Sequence, residues 1–318
     1  MGWVLGNGRL VYLDGTIDAQ AGNRLETFIK ENKISSTSTV VLNSSGGSLL
    51  GGIELGKVIR KHGLRTDVGR KEVKPEYDGT TPGICMSACT LAYLGGRFRF
   101  LPEASKFGVH RFYWPDKGQS DADAAQMLSA VVTSYMKEMD IDVELFRLST
   151  LKGGDEMYEV PHATLAKLKV VNYGFEQPRW TIEGANELVY LKGERETVYG
   201  INKFIIYCNG RSQPILHVIF DPQGREDEVM GLNQHDLVID GRNRPITPGA
   251  REIKNGWYNG VYPLSPALVQ AIASAGTVGT ILRSTEESPI FLGFDRLPVA
   301  GGEQKIRSYM TACRPRRR

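Results

Sequence analysis

Between Arg9 and Val109, short β-branched runs alternate with helical patterns, and this alternation leaves few folds open. Arg9–Leu13 reads as a strand closed by an Asp14-Gly15 turn. Asp18–Glu31 reads as a helix with Leu25, Phe28 and Ile29 on one face. Thr39–Leu42 is a second strand, and Leu49–Lys61 a helix carrying Leu50, Ile53, Leu55, Val58 and Ile59. Leu64–Val68, Ser87–Leu94 and Ser105–Val109 continue as strand, helix and strand. Strands that alternate with helices favour parallel pairing through crossovers, so the first half is predicted to be α/β, a mainly parallel sheet with crossover helices.

After His110 the pattern turns helical. Ser120-Asp121-Ala122-Asp123 reads as a helix start leading into Ala125–Met139, with Met127, Leu128, Val131, Tyr135 and Met136 as its apolar stripe. Asp142–Ser149 and Val160–Leu168 are further helices, with Pro161 at a first turn. Val170–Gly174 reads as a closing strand. From about Pro178 the texture changes. Thr181-Ile182, Leu188–Leu191, Lys203–Tyr207, Leu216–Phe220 and Leu237–Ile239 are short strand candidates between Gly, Asn, Asp and Pro turns. Ser265–Ala275 and Glu303–Ala312 read as helices. The expectation is a first domain over 1–176, a smaller β-rich α+β domain over 178–313 with a linker at Gln177-Pro178, and a basic tail over 314–318.

The 318 residues suffice for two cores, and a net charge of +3 is too small to imply nucleic acid. Arg314-Pro315-Arg316-Arg317-Arg318 reads as a solvated end. No run approaches the ~20 apolar residues of a membrane span. Met1-Gly2-Trp3-Val4 does not read as a signal peptide. Two compartments stay open: the cytoplasm, or the periplasm or exterior with a targeting segment removed beforehand. Cys208 and Cys313 are a candidate disulfide stapling the last helix to the β-rich domain, which suits an oxidising compartment; two buried thiols are the alternative. Cys85 and Cys89 lack zinc-site spacing and read as small apolar packing residues. No metal or cofactor motif is present in the sequence.

Three motifs carry chemistry. Val40-Val41-Leu42-Asn43-Ser44-Ser45-Gly46-Gly47-Ser48 is a strand ending in a glycine turn. Gly83-Ile84-Cys85-Met86-Ser87-Ala88-Cys89 presents Ser87 at the start of an apolar helix, and Phe107-Gly108-Val109-His110 ends a strand on an imidazole. A hydroxyl, a base and backbone amides freed by glycine are the parts of a serine acyl-transfer site. Taken alone, Ser87 reads more often as a helix cap and His110 as a surface or packing residue; it is the three motifs together that favour chemistry.

In this order the motifs resemble the proteolytic subunit of Clp protease, and more closely the secreted or periplasmic Clp-like proteins of bacteria. The resemblance covers roughly residues 8–175, and Glu72–Pro82 fit as extra residues between the glycine turn and Ser87. It implies the βαβ spiral of the Clp and crotonase superfamily, with Ser87 as nucleophile, His110 as general base, and the amides of Gly46 and Ala88 as oxyanion hole. The family places an aspartate where this chain has Met157, so either the acid falls to a neighbour, with Asp155 named first among Asp155, Glu156 and Glu159, or it is missing and the site is a Ser-His dyad; Asp140 and Asp142 lie farther off. The function implied is a serine hydrolase, a peptidase acting on peptide or protein substrates. Assembly into homo-oligomers through the helix after His110 is the family's habit. Two alternatives stay open. One is a non-catalytic Clp-like module whose β-rich domain binds a partner; the other is a crotonase-like acyl-thioester enzyme.

Overall fold

In the computed structural model, which describes residues 8–74, 77–111, 121–153, 156–185, 188–209 and 213–312, the alternation of the first half becomes two small sheets with helices against them. The architecture is mixed α/β, and the chain divides into two compact units, Met1–Gly174 and Phe175–Arg318.

In the first unit, β1 (Leu10–Asp14), α1 (Ala21–Asn32), β2 (Thr39–Asn43), α2 (Leu49–Lys61) and β3 (Arg65–Lys74) follow in order. β1, β2 and β3 pair in parallel, as crossover helices require. α1 begins later than expected because Asp18 forms a turn, accepting the Gln20 N–H at 2.8 Å. Ser48 caps α2 by accepting the Gly51 N–H at 3.1 Å. Ile53, Leu55 and Ile59 of α2 are buried, and Gly52 lets its backbone meet the helix that follows Ser87, since a Cβ there would run into Ala88 O. The extra residues Glu72–Pro82 extend β3 and return as β4 (Tyr77–Pro82), an antiparallel hairpin on the sheet edge.

The second sheet comprises β5 (Ile84–Met86), β6 (Lys106–Val109) and β7 (Tyr158–Glu159), with α3 (Ala88–Leu94) between the first two strands. α4 (Asp121–Glu138), α5 (Glu144–Ser149) and α6 (His162–Lys167) complete the unit. Val170–Gly174 is not the expected strand. Val170 and Val171 are buried, but Val170 O accepts from the buried Arg99 guanidinium (2.9 Å), so side-chain bonding replaces a ladder.

Asp67, midway along β3, is half-buried and accepts the Val68 N–H at 2.8 Å. Burial pushes its carboxyl up from the ordinary 3.8 to about 7, only partly offset by that hydrogen bond. Its folded-state pKa is raised, so its contribution is fully present below 3.8 and is lost as pH rises through about 7. Asp67→Asn keeps the acceptor and removes the charge. It is expected to raise stability in urea unfolding by roughly 2–4 kcal/mol at pH ~8 and to change it little at pH ~3. An equal effect at both would contradict this.

The second unit is mostly antiparallel sheet. Its strands are β8 (Arg179–Ala185), β9 (Leu188–Thr197), β10 (Gly200–Cys208), β11 (Pro214–Phe220), β12 (Gln234–Ile239), β13 (Arg242–Pro245), β14 (Ala250–Lys254), β15 (Trp257–Pro263), β16 (Thr277–Arg283) and β17 (Leu292–Pro298). They form one sheet in the order β14-β15-β11-β10-β9-β8 and another in the order β13-β12-β16-β17. α7 (Glu226–Gly231), α8 (Pro266–Ala273) and α9 (Glu303–Ala312) accompany them. The core buries Trp180, Phe204, Phe220, Tyr258 and Tyr262. Among its polar members, His235 Nδ1 meets Tyr262 Oη at 2.8 Å, and Arg283 pairs with Asp236 at 2.6 Å. Cys208 is disulfide-bonded; Cys313 and the basic tail lie outside the described residues.

Candidate active site

The two sheets meet where the motifs converge. Past the end of β2, Ser44 N–H donates to Ile84 O (2.8 Å) and Met86 N–H donates to Ser44 O (3.0 Å), so the glycine turn arrives beside β5. β5 and β6 pair in parallel with Met86 opposite Gly108, and Ser87 N–H donates to Gly108 O at 2.9 Å. This register brings the residue after β5 level with the end of β6. Ser87 Oγ and His110 Nε2 lie 2.7 Å apart, within hydrogen-bond reach for proton transfer. His110 Nδ1 is buried.

Ser87 precedes α3, but its side chain makes no capping hydrogen bond, so the helix-cap reading does not hold. Its backbone lies at φ 55° and ψ −125°, a conformation ordinarily left to glycine. Holding a serine there costs about 1–3 kcal/mol, and such strain persists only where surrounding structure fixes it. The result is a side chain turned off the helix and onto the imidazole.

Ala88 N–H is the first amide of α3 and makes no hydrogen bond among the described residues. Gly46 departs from expectation. Its N–H already donates to Ser44 Oγ at 3.0 Å, so it is not available to an oxyanion. The adjacent amide, that of Gly47, is placed differently. Ile17 bridges to the turn through Gly46 O (2.8 Å) and Ser48 N–H (2.7 Å), which leaves the Gly47 amide facing the other way. Gly47 N–H makes no hydrogen bond among the described residues, and Gly47 lines the same cavity as Ser87 and Ala88. Gly46 has a steric role instead: a Cβ on it would lie 2.7 Å from Ser87 Cβ and 2.9 Å from Met86 O.

Asp155, the expected acid, lies outside the described residues. Its neighbours are engaged elsewhere. Glu156 pairs with Lys152 at 2.8 Å and Glu159 with Lys106 at 3.1 Å. Asp140 pairs with Lys169 at 3.2 Å, and Asp142 accepts the Glu144 N–H at 2.9 Å. Arg111 N–H donates to Lys152 O at 3.1 Å, which ties the chain just before Asp155 to the end of β6. Met157 packs against Gly108.

A cavity of about 370 Å³ opens beside Ser87 and His110. Leu91, Val132, Met136, Leu145 and Phe146 give it an apolar wall. Its other hydroxyls are spent on backbone: Ser48 caps α2, Thr90 Oγ1 donates to Ser87 O (2.6 Å), and Ser149 Oγ donates to Phe146 O (2.7 Å). Ser87, His110 and the amides of Gly47 and Ala88 give the cavity its polar side, and the remainder suits an apolar ligand.

Cys85 and Cys89 are bonded to each other, with Cα atoms 5.2 Å apart. This corrects the expectation of two packing thiols. The four-residue separation is bridgeable because the chain turns sharply at Ser87, a geometry that spacing alone does not disclose. No family model matches the chain, and no curated protein is detectably similar to it.

Proposed function

We propose that this chain is a serine hydrolase that transfers acyl groups through Ser87, on a first unit of the Clp and crotonase spiral type. The observation that carries the reading is the 2.7 Å approach of His110 Nε2 to a Ser87 hydroxyl held at φ 55°. Imidazole Nε2 takes the Ser87 proton as Oγ adds to the substrate carbonyl carbon. The carbonyl π pair moves onto oxygen, where Gly47 and Ala88 N–H groups meet the oxyanion. Collapse expels the leaving amine or alcohol, which takes the proton from the imidazolium, and leaves a Ser87 ester. Water, deprotonated by His110, repeats the addition and frees the acid and the hydroxyl.

The apolar cavity favours peptides with an apolar side chain at the acyl residue. The Cys85–Cys89 bond and the bonded Cys208 support a periplasmic or secreted location, since structural disulfides persist in oxidising compartments. A panel of peptide esters and amides differing only at the acyl residue tests the reading. Turnover of leucyl or phenylalanyl members that Ser87→Ala abolishes is expected. Turnover that survives in Ser87→Ala would remove Ser87 from the chemistry, and no turnover of any member would leave a binding module as the better account.

A further inference from the structure

We propose that the Cys85–Cys89 disulfide is a positioning device that holds Ser87 in register with His110. The proposal rests on the hydrolase reading of the site. The bond closes a ring of Cys85, Met86, Ser87, Ala88 and Cys89, with the nucleophile at its centre. Upstream of Ser87, the chain is anchored by Met86 N–H to Ser44 O and by Ser87 N–H to Gly108 O. Downstream, the bonds nearest to it come from Thr90 N–H and Thr90 Oγ1 to Ser87 O, and these move with the serine. Farther along, Tyr135 Oη donates to Leu91 O at 2.8 Å and Thr66 Oγ1 donates to Tyr93 O at 2.9 Å, which hold the body of α3. Across its first turn, the cystine and the packing of Ala88 over Gly52 tie the helix to β5 and so help to hold Ser87 at φ 55°, with its side chain toward His110.

Two further observations separate this role from others. A ring this short constrains the unfolded chain less than a long loop does, so its main yield is local geometry rather than global stability. Both cysteines are fully buried at 0% exposure, so solvent reductants reach the bond only when the core opens. The cystine is a permanent clamp, not a surface redox switch.

The test is a double-mutant cycle read by the rate of fluorophosphonate labelling at Ser87. Cys85→Ala/Cys89→Ala should lower the rate by roughly 10²-fold, the scale of an ångström-sized misplacement, while circular dichroism and thermal melting show a folded chain. His110→Ala should lower labelling strongly in the disulfide-containing protein and only a few-fold, about the scatter of independent sites, in the disulfide-free one. Such non-additivity is not expected of a bond that only adds stability. If the alanine pair does not fold, Cys85→Val/Cys89→Ala restores volume and the same comparison is made. Equal labelling with and without the disulfide overturns the proposal, as does full additivity, or failure of both pairs to fold, which would make the bond a folding element. A wild-type chain that does not label overturns the hydrolase reading and this proposal together.

Discussion

His110→Ala is expected to lower turnover of any substrate hydrolysed at Ser87 by about 10²–10⁴-fold, with KM little changed. Without the imidazole the Ser87 hydroxyl has no base at 2.7 Å to take its proton. His110 follows β6 and is half-buried, outside the main apolar cluster, so the substitution should leave the melting temperature within a few degrees. Residual activity would come from the Gly47 and Ala88 amides and from the apolar cavity, which remain. Ser87→Ala should be at least as severe, and Ser87→Ala/His110→Ala no worse than Ser87→Ala, because the pair acts as one unit. Losses that simply multiply in the double variant would mean that the two side chains do not act on the same proton.

Gly46→Ala is expected to damage stability and turnover together. Gly46 has a φ of +112°, which L side chains rarely adopt. The added Cβ would also meet Ser87 Cβ at 2.7 Å and Met86 O at 2.9 Å, atoms of the strained turn itself. Strain and overpacking together should cost on the order of 3 kcal/mol, and relief would come from moving Ser87 off His110. Stability in urea and turnover should therefore fall together. Ser45→Ala, one residue away and exposed, is the control and should change stability by no more than about 0.5 kcal/mol. Equal stabilities for the two variants would contradict the crowding described.

The first unit was readable because its signals are local. β-branched runs such as Val40-Val41-Leu42 and the apolar face of α2 each point to one element type, and their alternation fixes the parallel pairing of β1, β2 and β3. Ser87 and His110 could be paired from sequence because β5 and β6 are short and in parallel register, with the motif residues just past their ends. What distinguishes Gly46 from Gly47 is the direction of an amide, set by the Ile17 bridge from a distant turn, and residue order does not encode it. The Cys85–Cys89 bond was hidden for a similar reason, since Cys85 precedes the turn on a strand and Cys89 follows it on a helix.

The second unit is less legible in its sequence, although part of the signal is there. Asp240-Gly241 and Asn255-Gly256 both take left-handed backbone and close the β12–β13 and β14–β15 hairpins, the role such pairs favour. The strands beside them resist a hydrophobicity reading. β13 is exposed throughout, and β14 alternates exposed with half-buried residues, so neither carries an apolar run. Their partners, β12 and β15, supply the buried side chains.

Peptide mapping of the fluorophosphonate adduct, on the wild-type chain and on His110→Ala, tests most directly the claim that Ser87 is a nucleophile activated by His110. The expected result is a single adduct on the peptide containing Ser87, formed in the wild type at a rate that His110→Ala lowers by about 10²-fold or more. Absence of an adduct at Ser87, or the same rate of adduct formation without His110, would contradict the account.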